Sequence, residues 1–251
     1  HSVERLLCKQ EASGSIPLFS IMYYFPDTEY VYSSLMSGFF KKEEVNPALN
    51  ILNLNYEKVR DEYESIEHQL VYTNWHSNNA YNTIEKNPYE GWKVAAMYAR
   101  YHPAMESKLP ELEKMYDQRV YLDPQRGIAY TENAKKLPTL FNLCYEAGLR
   151  VRVGVSVLEP GKVIDWHTDP DPTLDDDMII RGLWGIKVNP QNQETCQIML
   201  NSKVDGVINE VMMNNRMHFF WGRTQHHVFN NLSTPRVCLC FDNIVPRQNL
   251  L

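Results

Sequence analysis

The hydrophobic pattern divides the chain into a first part with helical periodicity and a second part with strand alternation. Between Leu52 and about Leu70, apolar residues recur at steps of three to five positions with charged residues between them. This spacing predicts an amphipathic helix that Asn55 can cap at its start. Residues 106–118 and 138–147 also have helical character, and the second segment begins with a proline and ends before a glycine, as helices often do.

Strand signals dominate after residue 148. From 149 to 158 four valines alternate with polar and small residues, which predicts a strand with two different faces. Further short strands are predicted, without helices between them, at 179–188, 195–200, 206–213, 216–221, 226–230 and 236–241. Helices followed by many short strands predict an α+β chain with a mainly β core, built as an antiparallel sandwich or jelly roll. The absence of βα alternation and of a G-x-G-x-x-G after a strand argues against a dinucleotide-binding fold.

Length and composition favour one folded domain. The chain has 251 residues, of which 43% are hydrophobic, enough for a substantial core. Residues 1–50 are rich in aromatics without clear periodicity, which predicts an N-terminal extension packed on the core. The rest is predicted to be a single domain, 51–251, with mainly helical support in 51–147 and the β core in 148–247.

Charge and cysteine content narrow the partners and the compartment. A net charge of −6 argues against binding to nucleic acid or to an anionic membrane. No apolar run is long enough to span a bilayer, and the first residues lack the pattern of a secretory signal. Five cysteines without a C-x-x-C motif argue against a disulfide framework or a cysteine-rich zinc site, and favour a reducing compartment. We therefore expect a cytoplasmic protein; its oligomeric state cannot be predicted from the sequence.

Candidate metal ligands lie in the segment DWHTDPDP. Residues two apart on an extended chain point the same way, so His167 and Asp169 can converge on one point. With a third ligand from a distant strand they would form the 2-His-1-carboxylate facial triad that holds Fe(II). H-x-D alone is a weak signal, and Asp169 can instead be only a turn former ahead of Pro170.

The third ligand and an anion-binding arginine are predicted further along the chain. His226 and His227 are neighbours on a predicted strand, so only one of them can face inward. Ten residues after His226, Arg236 begins an apolar strand, where a guanidinium can clamp a desolvated carboxylate. Arg236 can instead pair with an internal acid such as Asp242. The joint pattern favours a metal-dependent oxygenase more strongly than any of its parts.

The sequence resembles the aspartyl/asparaginyl β-hydroxylase family of iron(II)- and 2-oxoglutarate-dependent oxygenases. The resemblance rests on SVLEPGKVIDWHTD (156–169), RGLWGIKV (181–188) and HHVFNNLSTPRVCLCFD (226–242), and extends more faintly to GWKVAAM (91–97) and PTLFNLC (138–144). It implies a double-stranded β-helix, a cupin-like variant of the jelly roll, with Fe(II), 2-oxoglutarate and O₂ as cofactor and cosubstrates.

The resemblance also assigns roles to single residues. It implies that His167 and His226 bind iron and that Arg236 and Ser156 bind 2-oxoglutarate, while Arg181 can bind the cosubstrate or an acidic substrate group. Peptide-hydroxylating members have a glycine at the position of Asp169, whereas relatives of the cis-4-proline hydroxylase type keep H-x-D, as this chain does. The tryptophans near these motifs are candidate substrate contacts, although core packing is the more common role of such residues: Trp92, Trp184 and Trp221.

The sequence is therefore compatible with three functions. The leading one is a dioxygenase that hydroxylates an unactivated C–H of an amino acid or other small polar substrate, with succinate and CO₂ as coproducts. The first alternative is β-hydroxylation of Asp or Asn side chains in a peptide or protein. The second is a cupin-like metal-binding sensory protein without turnover, which the complete set of predicted ligands argues against.

Overall fold

The structure is a computed structural model that describes residues 38–74, 90–169, 177–191, 193–202 and 205–246. The predicted N-terminal extension lies outside the described residues up to residue 37. Among the described residues, no helix combines the length and apolarity needed to cross a bilayer.

Six short α-helices precede the long β region in the part of the chain that the structure describes. They are α1 (Lys42–Val45), α2 (Asn50–Leu54), α3 (Tyr56–Ile66), α4 (Leu109–Tyr116), α5 (Glu132–Lys136) and α6 (Pro138–Glu146). Single 3₁₀ turns lie at Pro47–Leu49, Glu67–Gln69 and Pro103–Met105.

The helix predicted from Leu52 to Leu70 is in fact interrupted at Asn55. The Asn55 side chain donates a hydrogen bond to the Ile51 carbonyl at 2.8 Å and makes no capping bond to α3. Asn55 therefore ends α2 and does not cap α3, because its amide binds the preceding turn. The helix predicted at 138–147 is confirmed as α6, which starts at Pro138.

Thirteen strands lie in the described residues. They are β1 (Phe39–Phe40), β2 (Thr73–Asn74), β3 (Trp92–Arg100), β4 (Val120–Asp123), β5 (Ile128–Thr131), β6 (Arg152–Leu158), β7 (Val163–His167), β8 (Asp177–Lys187), β9 (Cys196–Ser202), β10 (Gly206–Val211), β11 (Met217–Trp221), β12 (His226–Asn230) and β13 (Arg236–Pro246). Strands β6 and β8 to β13 correspond to the predicted ones. The sequence did not predict β3, whose residues are largely buried on both faces and therefore lack alternation.

The strands form two antiparallel sheets. The larger has nine strands in the order β1-β11-β8-β13-β6-β3-β5-β4, with β2 added beside β3, and the smaller has four in the order β10-β9-β12-β7. Two such sheets face to face form a jelly roll, so the predicted α+β fold with a jelly-roll core is confirmed. Strands β3 to β5 come from the segment predicted as helical support and extend the large sheet.

The two faces of β6 have different surroundings: one packs against the helices and the other faces the space between the two sheets. Val153, Val155 and Val157 join the core formed with the helices, as the alternation predicts. Ser156 and Arg152 lie on the other face, which is also enclosed, because Ser156 is buried and Arg152 reaches Asp242 on β13. The large sheet therefore presents polar side chains to the interior of the jelly roll.

Gly185 on β8 lies where the main chain of a neighbouring segment leaves no room for a side chain. A Cβ at this position would overlap the carbonyl oxygen of Met213, which is backbone and cannot rotate away. We expect Gly185→Ala to lower the free energy of unfolding by about 1–3 kcal/mol, the usual cost of overpacking. Denaturant titration measures it, with Gly38→Ala as the control because a Cβ there meets nothing within 4 Å. Equal midpoints for the two variants would contradict this packing.

Candidate active site

Two histidines from different parts of the sequence meet inside the jelly roll. Strands β7 and β12 pair in the small sheet with His167 opposite His226, and the two ring centroids lie 4.1 Å apart. His226 is buried, and Phe220 on β11 of the facing sheet packs against its ring at 4.7 Å. The pairing of β7 with β12 therefore brings together residues 59 positions apart in sequence.

Backbone carbonyls fix the orientation of both imidazoles. His167 Nδ1 lies 2.7 Å from the Asp165 carbonyl, and His226 Nδ1 lies 2.9 Å from the Thr224 carbonyl. In the neutral form, each Nδ1–H donates to its carbonyl, which leaves the Nε2 lone pair available to a metal ion. Burial lowers the pKa of His226 to about 3, so this imidazole is neutral at physiological pH.

Asp169 completes the cluster just beyond the end of β7. Its backbone N–H donates to the Gly222 carbonyl at 2.8 Å, and its Oδ2 lies 3.6 Å from His226 Nε2. A Cβ at position 222 would lie 3.3 Å from the Asp169 Cβ, so glycine leaves space for the carboxylate. Burial raises the pKa of Asp169, and the positive charge of Arg152 opposes that shift.

The donor set fits a ferrous ion. One ligand atom from each of His167, Asp169 and His226 lies within 4.8 Å of the others. Two imidazole nitrogens and one carboxylate oxygen are the ligands of the non-haem Fe(II) facial triad, which leaves coordination positions open for other molecules. Asp169 and His226 are buried and His167 is partly buried, so the structure brings together the predicted ligands in a largely enclosed cluster.

Arg236 lies on the large sheet in a pocket of polar and sulfur-containing side chains. It is 1% exposed, and its Nη2 donates to Ser156 Oγ at 3.0 Å. Ser156 Oγ also accepts a hydrogen bond of 2.8 Å from Trp92 Nε1. Burial raises the pKa of the nearby Cys196 and Cys238 thiols, so neither supplies a negative charge to Arg236.

The surroundings of Arg236 fit an anionic ligand. Its Nε has no hydrogen-bond partner, and among the described residues no carboxylate forms an ion pair with its guanidinium. The alternative pairing with Asp242 is wrong, because Asp242 binds Arg152 and Arg181 instead. A buried guanidinium without an acid is costly, and a carboxylate from a bound molecule would compensate its charge.

A chain of buried charges connects Asp169 to the interior of the large sheet. Arg181 Nη1 lies 2.6 Å from Asp169 Oδ2, and Arg181 Nε also donates to Asp242. Asp242 in turn accepts a bond of 2.9 Å from Arg152 Nε. The two arginines and two aspartates carry no net charge together. Arg181 is thus held by carboxylates of the protein itself, and its predicted contact with the cosubstrate or with an acidic substrate group stays a prediction.

Two of the three candidate tryptophans lie away from the cluster. Trp184 and Trp221 belong to the core between the large sheet and the helices, and Trp184 is 0% exposed. Trp184 Nε1 donates to Asn215 there, at 3.2 Å. The structure thus gives both side chains a packing role in the core, because alternation turns them to the face of the sheet that the helices cover. Trp92, in contrast, reaches Ser156.

Two further histidines on the strands of the β region have structural surroundings. His227 turns to the other face of β12, where its ring lies 5.3 Å from that of Trp166. His218 Nδ1 lies 2.6 Å from Glu210 Oε2. Each of these two therefore has a local partner outside the cluster.

Sequence reasoning did not identify Phe220, Gly222 or Arg152 as neighbours of the site. Phe220 could have been found by alternation, because in RMHFFW it follows Phe219, which faces the helices, and therefore faces the interior of the jelly roll. The carbonyl of Gly222 and the pairing of Arg152 with Asp242 depend on contacts between distant strands, which no local pattern reveals.

Comparison with known proteins identifies the family. The profile described as aspartyl/asparaginyl beta-hydroxylase matches residues 53–246. No curated protein sequence matches the chain significantly. A prolyl-4-hydroxylase structure from Pseudomonas putida is 12% identical, with a TM-score of 0.42 over 80% of this chain and 89% of that one. A prolyl hydroxylase from Trichoplax adhaerens, in complex with a hypoxia inducible factor peptide fragment, is 14% identical, with a TM-score of 0.40 over 81% and 89%.

One further likeness is partial. A structure of DMSP lyases is 14% identical with a TM-score of 0.26, and the chain spans 37% of the length of that protein and 37% of its own. The family profile, in contrast, covers more than half of the 251 residues. The chain therefore belongs to the aspartyl/asparaginyl β-hydroxylase family and is a 2-oxoglutarate-dependent hydroxylase.

Proposed function

We propose that this hydroxylase inserts one oxygen atom of O₂ into an unactivated C–H bond of an amino acid or another small polar molecule. The balanced reaction converts R–H, O₂ and 2-oxoglutarate into R–OH, succinate and CO₂. The observation that carries the proposal is the His-Asp-His cluster in the jelly roll that also buries Arg236, which has no acid partner among the described residues.

Each side chain has a separate task in this proposal. His167, Asp169 and His226 hold Fe(II), which together with 2-oxoglutarate and O₂ supplies the oxidising chemistry when bound. The carbonyls of Asp165 and Thr224 keep both imidazoles in the tautomer that presents Nε2. The protein contributes orientation and exclusion of water.

Arg236 and Ser156 bind the distal carboxylate of 2-oxoglutarate in the same proposal. The guanidinium can donate two parallel hydrogen bonds to a carboxylate, and the hydroxyl of Ser156 offers a third donor. Trp92 holds Ser156 by donating to its oxygen, which leaves the hydroxyl proton free to point at the cosubstrate. All these residues except Trp92 lie within 148–247, which we propose as the oxygenase core.

The two alternatives predicted from the sequence are less well supported. β-Hydroxylation of Asp would favour a cation for the substrate carboxylate, but Arg181 is already held by Asp169 and Asp242. A sensor without turnover does not need a cosubstrate clamp, yet Arg236 is buried without an acid among the described residues. The pairing of Arg181 favours a substrate other than Asp. The unpaired charge of Arg236 favours an oxygenase over a sensor.

The direct test is 2-oxoglutarate turnover by the purified chain. We expect one Fe(II) to bind per chain and succinate to form in the presence of iron, ascorbate and O₂, at a low rate without added substrate. Mass spectrometry of reactions with amino acids and short peptides should then reveal a product 16 mass units heavier. Absence of both iron binding and succinate formation in the folded protein would refute the proposal.

Asp169→Asn separates a metal ligand from a turn-forming residue. Asparagine is an equally good turn residue, but its neutral amide is a poor ligand and does not compensate the charge of Arg181. We expect iron affinity to fall by more than about tenfold, and turnover with it, because even residues outside the ligand set commonly contribute about 10–100-fold. Iron titration and succinate assays measure this, with thermal unfolding as the check on folding. Near-normal iron affinity would show that Asp169 only shapes the turn.

A further inference from the structure

We propose that a cavity beside the site binds an aliphatic group of the substrate, of about three to five carbon atoms, at the point of oxidation. The inference rests on the proposed function and specifies its substrate class. The cavity lies between the large sheet and the segment that contains α4, and has a volume of about 50 Å³. Its walls include Ala96 on β3, Leu112 on α4, Ala129 on β5 and Gly154 on β6.

The cavity adjoins neighbours of the proposed iron site and of the proposed cosubstrate site. Arg181 lines it and lies 2.6 Å from the carboxylate of Asp169. Trp92 also lines it and donates to Ser156, which in turn contacts Arg236. The cavity is therefore bounded by direct neighbours of a proposed iron ligand and of the proposed cosubstrate clamp, one side chain away from each.

The same face of one strand continues from the clamp into the cavity. Gly154 lies two residues before Ser156 on β6, so both face the interior of the jelly roll. The strand rises roughly 3.3 Å per residue, which separates the two positions by about 7 Å. A substrate in the cavity and 2-oxoglutarate at Arg236 are thus neighbours along the sheet.

The lining selects an uncharged, apolar group. Most of the wall is formed by aliphatic and aromatic side chains, and the hydroxyl of Thr131 is already bound to the Ala96 carbonyl at 2.7 Å. The two arginines in the wall, Arg152 and Arg181, are both paired with Asp242. A carboxylate placed here would lose its hydration and meet two arginines whose charges Asp242 and Asp169 already compensate, which is unfavourable.

The volume limits the size of the bound group. A cavity needs about 10–15 Å³ to hold one water-sized particle, so 50 Å³ accommodates roughly three to five of them. That corresponds to an aliphatic side chain of about three to five carbons and is too small for a peptide segment. The polar part of the substrate then lies outside the cavity. The preferred substrate is accordingly an aliphatic amino acid, or a derivative with such a side chain.

The test compares side chains of increasing length in the complete enzyme. The probes are free amino acids with unbranched side chains of one to six carbons, their N-acetyl amides, and aspartate and asparagine in both forms. We expect succinate formation above the substrate-free rate to be highest for three to five carbons and to be absent with aspartate and asparagine. Calorimetric titration of the anaerobic iron and 2-oxoglutarate complex should show the same preference, independently of turnover.

Two substitutions that reshape the cavity should move this preference in opposite directions. Ala129→Leu fills the cavity, and we expect kcat/KM for a four-carbon side chain to fall about tenfold or more, with the optimum moving to shorter chains. Leu112→Ala enlarges the cavity and should move the optimum to longer chains. Ala48→Leu is the control because Ala48 is exposed and does not line the cavity, so its preference should equal that of the wild type.

The outcomes distinguish this inference from the proposed function. Succinate formation that is stimulated by aspartate or asparagine, or by no aliphatic probe, overturns the inference and leaves the oxygenase intact. Unchanged length preference in a folded Leu112→Ala enzyme also overturns it, even if Ala129→Leu does not fold. Absence of iron binding and of all succinate formation refutes the proposed function, and the substrate assignment falls with it.

Discussion

His226→Ala is expected to lose iron binding and 2-oxoglutarate turnover by more than about 100-fold. The imidazole is buried, and its Nε2 lies 3.6 Å from the carboxylate of Asp169, so its removal leaves two ligands where three are present. Loss of a residue that only supports a ligand commonly costs about 10–100-fold, and loss of a ligand itself should cost more. Iron titration and succinate formation, measured with the same preparation, report the two effects separately.

The neighbouring histidine provides the matched control. His227 turns to the opposite face of β12, where its ring lies beside Trp166 and Asp165. We expect His227→Ala to keep iron binding and turnover. A dead His227→Ala enzyme beside an active His226→Ala enzyme would mean that β12 is shifted by one residue, because such a shift exchanges the two faces of a strand.

The candidate metal ligands could be predicted because each depends on a local pattern. The i, i+2 spacing of His167 and Asp169 needs only an extended backbone, and the adjacency of His226 and His227 already implies that one of them faces inward. Alternation likewise explains how the valines and the polar residues of β6 divide between its faces. Local periodicity was therefore sufficient to predict the candidate ligands and the two faces of β6.

The surroundings of Trp184 and Arg181 depend on which strands become neighbours in the folded sheet. Trp184 was a candidate substrate contact because it lies within one of the segments that carry the resemblance, yet the register of β8 turns it to the helix-packed face. From the sequence alone, Arg181 was a candidate ligand contact, but in the structure the pairing of β13 with β8 places Asp242 opposite to it. Pairing between strands separated by about 60 residues, and the resulting charge compensation, has no signal in a single sequence.

Arg236→Ala is expected to raise the apparent constant for 2-oxoglutarate by well over tenfold. Removal of one partner of a buried, charge-assisted pair typically costs about 2–5 kcal/mol, and each 1.4 kcal/mol corresponds to about tenfold in affinity. The guanidinium is almost completely buried and has no acid partner among the described residues, so its charge is available to a bound carboxylate. Iron affinity should change little, because Arg236 touches none of the three ligands in the described contacts. Succinate formation as a function of 2-oxoglutarate concentration measures the shift.

Arg236→Lys tests whether the geometry of the guanidinium matters as well as its charge. A lysine keeps the positive charge but cannot form two parallel hydrogen bonds with a carboxylate, and its single ammonium group would have to choose between Ser156 and the cosubstrate. We therefore expect partial rescue, with an apparent constant between those of the wild type and Arg236→Ala. Full rescue would show that charge alone suffices. An unchanged 2-oxoglutarate dependence in folded Arg236→Ala would show that Arg236 does not bind the cosubstrate.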